Sequence, residues 1–481
     1  MHTGRTILSS ILALSLTACG GGGGSGGSTG GTGGGTGGGG TGGGGGGTGT
    51  TCSYASRAQF VRDTLNEWYL FPELLDTTVN AASYSDLQAY IDALVAPARD
   101  PKQAKDRGFT YITSIAEENA LIQSGSNAGF GIRLSYDTTA NRVYVLEAFE
   151  NAPGFAAGID RGTELLSIDG QSVASLMASG GDTAVSNALG PAQPGVTRTL
   201  GFRTVEGTQQ TQTITKAEFS LDPVSDRYGV KILDDGTGPV GYVNLRTFIV
   251  QDASNQLRAA FQQLKDAGIN RVILDFRYNG GGLVSVAKLL GDLLAADKVG
   301  QVYSRTILRA SKASENETDL FAAQPQAIAA MKIAVIGRQG TASASEVVAN
   351  AFIPYLGANL ALVGTNTFGK PVGQYAFDRS ACDDRLRAVA FRTVNRDGGG
   401  DYYKGLASVM PRTCSAEDGV FKQLGDPAEA STKVALDFLA GRSCSPIGGG
   451  SGTTTQGGVD RLQLLRPRNP TAAQRDNPAL F

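Results

Sequence analysis

An alternation of strand-like and helix-like segments between residues 240 and 364 limits this chain to a layered α/β core. Short apolar runs, the clearest being RVILDFR at 271–277, alternate with longer segments of helical periodicity. A near-continuous apolar strand of this kind is typical of a sheet buried on both faces. The predicted strands are 240–248, 271–277, 332–337 and 360–364, and the predicted helices are 255–268, 283–296 and 345–356. The pattern predicts an α/β core domain over residues 221–446.

Residues 52–125, upstream of this core, have a helical pattern. Apolar side chains recur at helical spacing in 56–75 and again in 83–95. The aromatic residues among them are more typical of a packed core than of a ligand site. We therefore predict an N-terminal helical domain, which makes the whole chain a multidomain α+β protein with an α/β core.

The first 51 residues carry two segments that cannot form a packed core. Arg5 precedes an apolar stretch from Ile7 to Leu16, which is too short to span a membrane and predicts a secretory signal over residues 1–18. Residues 19–51 are almost wholly Gly, Thr and Ser, and much of the chain's total of 67 glycines lies there. Such a composition predicts a flexible tether.

The end of the signal resembles the bacterial lipobox. Leu16-Thr17-Ala18-Cys19 directly follows the apolar stretch. The resemblance implies that Cys19 is lipidated and becomes the first residue of the mature protein. With glycine rather than aspartate at position 20, it also implies an outer-membrane lipoprotein of the bacterial envelope that faces the periplasm.

Four further cysteines, Cys52, Cys382, Cys414 and Cys444, remain in the mature chain. An even number in an oxidising compartment predicts two disulfides, and of the three possible pairings we favour Cys382–Cys414 and Cys52–Cys444. The cysteines show no CxxC spacing and the only histidine is in the signal, so neither a metal site nor another cofactor is predicted. The net charge of −2 gives no electrostatic reason to bind nucleic acid.

The last 35 residues, 447–481, predict a flexible tail. A Gly-, Ser- and Thr-rich stretch at 447–458 separates the core from a segment that contains Pro, Arg and Asn. Neither part shows a strong apolar periodicity that would predict packing.

Residues 126–220 combine short predicted strands with three motifs in a fixed order. Gly129-Phe130-Gly131-Ile132 comes first, then the turn at 153–158 with sequence PGFAAG, then the strand end at 166–170 with sequence LSIDG. Together they resemble a PDZ domain of the circularly arranged bacterial type. The resemblance implies that Gly129–Ile132 bind a peptide carboxylate through backbone N–H groups while a strand edge accepts the extended chain.

Three stretches in the α/β core could carry catalysis. DFRYNGGG at 275–282 follows a buried strand, TASASE at 341–346 precedes a predicted helix, and TNTFGKPVGQ at 365–374 follows the last predicted strand. Open α/β sheets bind ligands at such strand ends. A serine at a helix N-terminus lies in a field that favours an oxyanion, and a buried lysine can become a base near neutral pH.

In this order the three stretches resemble the carboxyl-terminal processing proteases, also called tail-specific proteases, a family of Ser/Lys-dyad peptidases of S41 type. The resemblance covers about residues 54–440. It implies that Ser343 is the nucleophile, Lys370 the general base and Gln374 the residue that orients the lysine. Backbone N–H groups of Ala344 and of Gly281 or Gly282 are implied to form the oxyanion hole.

Two local alternatives are compatible with the residues. Ser345 lies 25 residues before Lys370, the spacing usual in the family, whereas Ser343 lies 27 before it, although the motif alignment favours Ser343. Ser285 and Lys288 match a Ser-x-x-Lys pattern without the motifs that accompany it in penicillin-recognising enzymes. Pro371, where the family carries glycine, is a further departure.

Together the resemblances imply a lipid-anchored serine endopeptidase that takes protein or peptide substrates by their C-terminal ends. The competing interpretation is a protein of the same fold that binds peptides or other ligands without turnover.

Overall fold

The computed structural model describes residues 51–448, 462–467 and 470–481. The predicted signal, Cys19, nearly all of the tether and the Gly-rich part of the predicted tail lie outside these ranges. Within them, no helix is long and apolar enough to cross a membrane.

The strands, numbered in chain order, are β1 (Tyr111–Ser114), β2 (Ser126–Gly129), β3 (Ile132–Asp137), β4 (Arg142–Ala148), β5 (Glu164–Ile168), β6 (Gln171–Ser172), β7 (Thr197–Arg203), β8 (Gln209–Thr215), β9 (Ala217–Ser220), β10 (Val230–Asp234), β11 (Pro239–Asn244), β12 (Arg271–Asp275), β13 (Val302–Leu308), β14 (Glu317–Leu320), β15 (Lys332–Gly337), β16 (Leu360–Gly364), β17 (Val372–Arg379), β18 (Asp384–Val394), β19 (Arg412–Ser415) and β20 (Leu462–Leu464).

The α-helices are α1 (Tyr54–Trp68), α2 (Leu87–Leu94), α3 (Ala96–Arg99), α4 (Ile115–Ser124), α5 (Pro153–Ala156), α6 (Val173–Leu189), α7 (Ala253–Asp266), α8 (Val284–Leu294), α9 (Ala344–Leu356), α10 (Ala430–Leu439) and α11 (Ala472–Asp476).

The core sheet has six strands in the order β10-β11-β12-β15-β16-β19. All neighbours from β11 to β19 are parallel, and β10 closes one edge in the antiparallel direction. Helices α7, α8 and α9 pack on one face and α10 packs on the other. The predicted alternation of four strands and three helices is confirmed, because burial on both faces needs the continuous apolar strands seen in the sequence.

A second sheet lies beside the core and joins it to the N-terminal helices. Its strands run β1-β18-β13-β14, with β17 paired to β18. Buried side chains of α1 and α2, such as Leu65 and Ile91, share one apolar cluster with Leu386 and Val389 of β18. The helical segment therefore packs directly on the strand pair that follows Lys370.

A peripheral sheet contains the segment that resembles a PDZ domain. Its strands run β20-β3-β4-β5-β7-β8, with β6 paired to β5. Helix α6 packs on it through Val173, Val185 and Leu189, which lie in the same apolar cluster as the β3 and β4 side chains. β2 pairs with β9 in a separate two-stranded sheet.

The predicted disulfide pairing is wrong. The structure joins Cys52 to Cys382 and Cys414 to Cys444, with Cα–Cα distances of 5.5 and 5.3 Å. Cys382 lies in the turn between β17 and β18, which packs against the start of α1. Cys414 lies in β19, where Ser415 and Ser445 share a backbone hydrogen bond of 2.7 Å that brings the segment after α10 alongside.

The prediction of a flexible tail is also wrong for the residues that the structure describes. Residues 462–467 and 470–481 lie against the peripheral sheet, where β20 pairs with β3 from Leu462 opposite Asp137 to Leu464 opposite Ser135. The apolar residues in this stretch, including Leu465 and Phe481, are spaced without helical or strand periodicity. The sequence pattern therefore gave no sign that they would be buried together.

Candidate active site

Three neighbouring parallel strands of the core sheet end at one edge. Asp275 of β12 pairs with Ile336 of β15, and Gly337 of β15 pairs with Gly364 of β16. The loops that leave these strands carry the three stretches singled out in the sequence. They meet because carboxyl ends of adjacent parallel strands lie together, which is where open α/β sheets place their ligands.

Backbone hydrogen bonds join the three loops to one another. Ala342 N–H donates to Asn279 O at 3.1 Å, and Phe368 N–H donates to Thr341 O at 2.9 Å. The Thr341 hydroxyl donates to Phe276 O at 2.8 Å. The positions of the serine loop, the glycine loop and the lysine loop are therefore set together.

Ser343 is the hydroxyl residue at the surface of this junction. It is partly exposed and precedes α9 with φ of 54° and ψ of −119°, a conformation that non-glycine residues rarely adopt. Such a backbone costs on the order of 1–3 kcal/mol and tends to occur at functional sites. Thr341 and Ser345 are fully buried, and the Ser345 hydroxyl donates to Asn279 O at 3.0 Å.

The glycine loop lies directly against Ser343. Gly281 and Gly282 have φ of 114° and 134°, which favours glycine at both positions. A Cβ on Gly281 would lie 2.7 Å from the Ser343 Cβ and 3.1 Å from the Ala344 nitrogen. Among the described residues, Gly281 N–H donates to Asn279 Oδ1, whereas Gly282 and Ala344 N–H have no intramolecular acceptor.

Lys370 lies in the loop before β17 and is partly buried. Its ammonium donates to Gln374 Oε1 at 2.6 Å, and Gln374 Nε2 in turn donates to Phe109 O. Burial lowers the pKa of Lys370, while the nearby carboxylates of Asp476 and Asp106 oppose that shift. Within the described part of the chain, this ammonium makes no hydrogen bond to the Ser343 hydroxyl.

Glu346 connects the nucleophile candidate to the lysine loop. Its fully buried carboxylate accepts four hydrogen bonds, among them Ser343 N–H at 3.0 Å and Lys370 N–H at 2.7 Å, both on Oε2. The other oxygen accepts from Gly369 N–H at 2.7 Å and the Thr367 hydroxyl at 2.6 Å. Burial raises the pKa of Glu346, and these donors counteract the shift.

Replacing Glu346 by glutamine is expected to lower kcat by about 10²-fold, because a small displacement of reacting groups costs that much. An amide has one acceptor oxygen where the carboxylate has two, so one of the two donor pairs, either Ser343 and Lys370 N–H or Gly369 N–H and the Thr367 hydroxyl, loses its acceptor and the loops shift. Peptide cleavage with separate kcat and KM values measures the effect, and exposed Glu206→Gln is the control. A KM increase with unchanged kcat would contradict this positioning role.

The sequence analysis missed the contribution of the N-terminal segment to this site. Buried Asp106 accepts from Phe109 N–H at 2.7 Å and Thr110 N–H at 3.1 Å, which fixes the loop before β1. The Phe109 ring centroid lies 4.9 Å from Lys370 Nζ. These residues lie more than 230 positions before Ser343, and no local pattern in the sequence connects them with the catalytic loops.

A buried charge network supports the glycine loop from below. Arg277 donates to Asp275 at 2.6 Å and to Glu429 at 2.8 Å, and all three side chains are fully buried. The pKa of Glu429 is lowered to about 2: burial opposes this shift, but the nearby Arg277 guanidinium outweighs it. Moving the loop would separate these charges and leave a buried one unpaired, which is strongly unfavourable. The network therefore holds the start of the glycine loop in one position.

The remaining predicted site residues fall in two places. Gly129–Ile132 lie at the end of the peripheral sheet, where Gly131 has φ of 69° and Ile132 begins β3. Ser285 and Lys288 lie on α8, where Lys288 pairs with Asp292 at 3.6 Å rather than with a serine. The second pattern is therefore a helix coincidence.

A cavity of about 270 Å³ opens beside Lys370. It is bounded by the glycine loop at Gly280, by Ala342 and by Phe109. Its opposite wall comes from residues around α11, including Gln474 and Asp476. The cavity thus lies between the candidate catalytic loops and the chain segment that follows β20.

Sequence comparison relates this core to known peptidases. The model of peptidase family S41 matches residues 239–406, a range that includes all three loops. A carboxyl-terminal-processing protease from Synechocystis is 28% identical over 324 residues, which cover 67% of this chain and 70% of the relative. A chloroplastic C-terminal processing peptidase from Tetradesmus obliquus is 31% identical over 339 residues, which cover 66% of this chain and 64% of that one.

Structural comparison supports the same architecture. A Bacteroides fragilis protein described as an S41 protease superimposes with a TM-score of 0.62. The match covers 79% of this chain and 97% of the other, at 22% sequence identity. At that identity the likeness establishes the shared fold, which is the mixed α/β architecture expected from the sequence.

Proposed function

We propose that this chain is a serine peptidase that works through a dyad of Ser343 and Lys370. The match of residues 239–406 to peptidase family S41 and the similarity to carboxyl-terminal-processing proteases support this proposal. The observation that carries this proposal is the Glu346 carboxylate, whose Oε2 accepts from the backbone N–H of both residues. A single oxygen holds the two main chains side by side.

In the proposed reaction, neutral Lys370 takes the proton of the Ser343 hydroxyl as Oγ attacks the scissile carbonyl carbon. The N–H groups of Ala344 and Gly282, which have no acceptor among the residues that the structure describes, stabilise the negative oxygen of the tetrahedral intermediate. Lys370 then gives its proton to the leaving amine, and an acyl-enzyme remains. Water, deprotonated by the same lysine, then attacks the ester carbon; as the bond to Ser343 Oγ breaks, the lysine returns the proton to Oγ and the acyl half leaves as a carboxylic acid.

Lys370 must turn from Gln374 toward Ser343 for the first step. Gln374 holds the ammonium through Oε1 while its own amide is tied to Phe109 O. We propose that Gln374 is the positioning residue from which the lysine swings. Pro371 fits this loop because its carbonyl accepts from Thr393 N–H at 3.0 Å, which fixes the chain after the lysine.

We propose that residues 126–220 form a PDZ-like domain that binds the C-terminal ends of protein substrates. Gly129–Ile132 supply the carboxylate loop, and the edge of β3 opposite its partner β4 accepts an extended chain by strand addition. The substrate then continues from this groove to Ser343.

Cys19 is the proposed lipid anchor, and the proposed location is the outer membrane facing the periplasm. The unaltered chain is then expected to need detergent for extraction from membranes, whereas a Cys19→Ser variant is expected not to need it.

Cleavage of two otherwise identical substrates tests this function. A peptide substrate with a free C-terminal carboxylate is expected to be cleaved with a kcat/KM at least about tenfold above that of its C-terminal amide, because the amide removes the anion that the loop binds. A fluorophosphonate should modify Ser343, as located by peptide mass spectrometry. Equal rates for acid and amide would argue against C-terminal recognition, and an unmodified Ser343 would argue against the dyad.

A further inference from the structure

The edge of β3 that would accept a substrate is already covered by the chain itself. We call residues 462–467 and 470–481 the strap. Its first part, β20, pairs with β3 from Ser135 to Asp137, and Leu465 N–H continues the pairing to Leu134 O at 3.0 Å. Its last part pairs with the start of β3, where Leu134 N–H donates to Ala479 O at 2.9 Å.

Phe481 occupies the place proposed for the end of a substrate. Ile132 N–H donates to Phe481 O at 3.1 Å, and Phe481 N–H donates to Ile132 O at 2.8 Å. The Phe481 side chain is 2% exposed and packs in the apolar cluster that contains Ile132, Val185 and Leu189. A Cβ on Gly129 would fall 2.8 Å from the Phe481 carbonyl carbon, so the glycine loop touches this residue directly. This is how an extended peptide adds to a sheet edge.

The middle of the strap covers the candidate catalytic centre. Gly280 N–H, in the glycine loop, donates to Asp476 O at 3.0 Å. Asp476 and Gln474 form one wall of the 270 Å³ cavity that Lys370 lines. Gln474 Nε2 also donates to Leu480 O at 2.8 Å, which links the part over the cavity to the part in the groove. A substrate chain cannot run from the β3 edge to Ser343 while these contacts are in place.

The strap also favours the inactive form of the lysine. The Asp476 carboxylate acts on Lys370 so as to raise its pKa, against the lowering by burial. A protonated lysine cannot accept the serine proton. Removing the strap would therefore take away a group that keeps the base charged.

The backbone of the strap is strained at Ala479, which makes the strap easier to displace. Ala479 has φ of 68°, which is disfavoured for a residue other than glycine. Leu480 and Phe481 bury their side chains in two different apolar clusters. A competing peptide with the same apolar pattern and a relaxed backbone can therefore replace the strap.

We propose that the strap is a built-in ligand of the β3 groove, which keeps the catalytic centre covered until a substrate that ends in a large apolar residue displaces it. This inference rests on the proposed function, since it names the regulation and the substrate class of that same groove. It predicts a preference for an aromatic or large aliphatic residue at the position that Phe481 holds, with a second apolar residue before it.

Peptide binding to catalytically inactive protein tests the first half. The probe is a fluorescent peptide of sequence RDNPALF, matching residues 475–481, and the proteins are Ser343→Ala alone and Ser343→Ala with Phe481→Asp. A strap that occupies the groove nine-tenths of the time weakens an added peptide about tenfold, so the second protein is expected to bind at least about tenfold more tightly. Phe481→Leu, the conservative variant, should bind as weakly as the first protein.

Equal affinity of the two proteins would overturn the proposal. A probe with Asp in place of its last Phe should lose binding, and retained binding would overturn the apolar preference. Thermal unfolding checks that Phe481→Asp is folded; if it is not, a deletion of residues 479–481 provides the second open-groove variant. Because these chains lack Ser343, the result does not depend on whether the proposed dyad cleaves anything.

Activity tests the second half. With a short fluorogenic peptide that cannot span the groove, Phe481→Asp in the Ser343 chain is expected to cleave about tenfold faster than the unaltered chain. An unchanged rate in a folded, active protein would overturn the covering role while leaving the peptidase intact. Loss of residues after 446 from the purified chain but not from Ser343→Ala would show that the strap is a substrate, which would also overturn the proposal.

Discussion

Ser343→Ala is expected to lower kcat/KM for peptide cleavage by at least about 10⁴-fold, because losing the nucleophile of such a unit removes nearly all catalysis. Only the backbone donors of the oxyanion hole and substrate binding would remain. The rate should be measured with a substrate that the unaltered chain cleaves to completion. A fluorophosphonate should label the unaltered chain and leave the variant unmodified.

Ser345→Ala is the matched control for this experiment. The Ser345 hydroxyl is buried and donates to Asn279 O, so its loss removes one hydrogen bond worth about 1 kcal/mol and leaves Ser343 in place. Activity is expected to stay within about tenfold of the unaltered chain. Normal activity in Ser343→Ala together with none in Ser345→Ala would move the nucleophile to Ser345. Absence of cleavage and of labelling in the unaltered chain would instead favour a binding protein of the same fold.

Lys370→Ala is expected to lower kcat/KM by about 10²–10⁴-fold, which is the usual contribution of a general acid–base group. Lys370→Arg should be equally inactive, because an arginine keeps its proton at any pH at which the protein is folded. Exposed Lys102→Ala is the control for loss of a lysine charge. An active Lys370→Arg variant would exclude the lysine as the base.

The dependence of kcat/KM on pH shows whether Lys370 acts in its neutral form. Only neutral Lys370 accepts a proton, so kcat/KM should rise with pH and level off above the lysine pKa. Burial places that pKa below the ordinary lysine value; among the groups that face it, Asp476, Asp106 and Glu346 oppose the shift, and Arg387 adds to it. Asp476→Asn removes a charge that raises the pKa of Lys370, so the rising part of the profile, called the acid limb below, should move to lower pH.

A second lysine allows the limb to be assigned. Burial lowers the pKa of Lys216, which lies between β8 and β9, to about 8, and its ammonium donates to the Gly190 and Pro191 carbonyls. If Lys370 is the base, the midpoint of the acid limb should stay unchanged in Lys216→Met. A midpoint that moves with Lys216 and not with Asp476→Asn would show that the limb reports peptide binding rather than catalysis.

The core of the fold could be read from the sequence because its signals are local. Strands β12, β15 and β16 are short apolar runs bounded by turn residues, and burial on both faces requires that pattern wherever the strand lies. The three loops follow from the same strands, since parallel neighbours end at one edge. Ser343, Lys370 and Gln374 could therefore be proposed without coordinates, although their geometry could not.

The disulfides and the lysine environment depended on contacts that no local pattern encodes. Cys382 and Cys414 are close in sequence, yet a hairpin turn carries one toward α1 while the core sheet carries the other toward α10. Asp106 and Phe109 reach Lys370 because the N-terminal helices pack on β18. The backbones of Ser343 and Lys370, which are more than 20 residues apart, both donate to the Glu346 carboxylate. In the sequence, Glu346 looks like an ordinary acidic residue in the first turn of a helix.

The sequence by itself determined the layered α/β core, the order of its strands and helices, and the residue types available for catalysis. The physical reason is that apolar periodicity and turn residues act over a few positions. Only the tertiary structure decided which cysteines pair, which carboxylate joins Ser343 to Lys370, and where residues 462–481 lie. Those outcomes depend on the shapes of packed surfaces and on which backbone groups a sheet edge leaves for another segment to bind. Phe481 fills the β3 groove because its backbone hydrogen-bonds to Ile132 and its side chain fits the apolar cluster beside that residue.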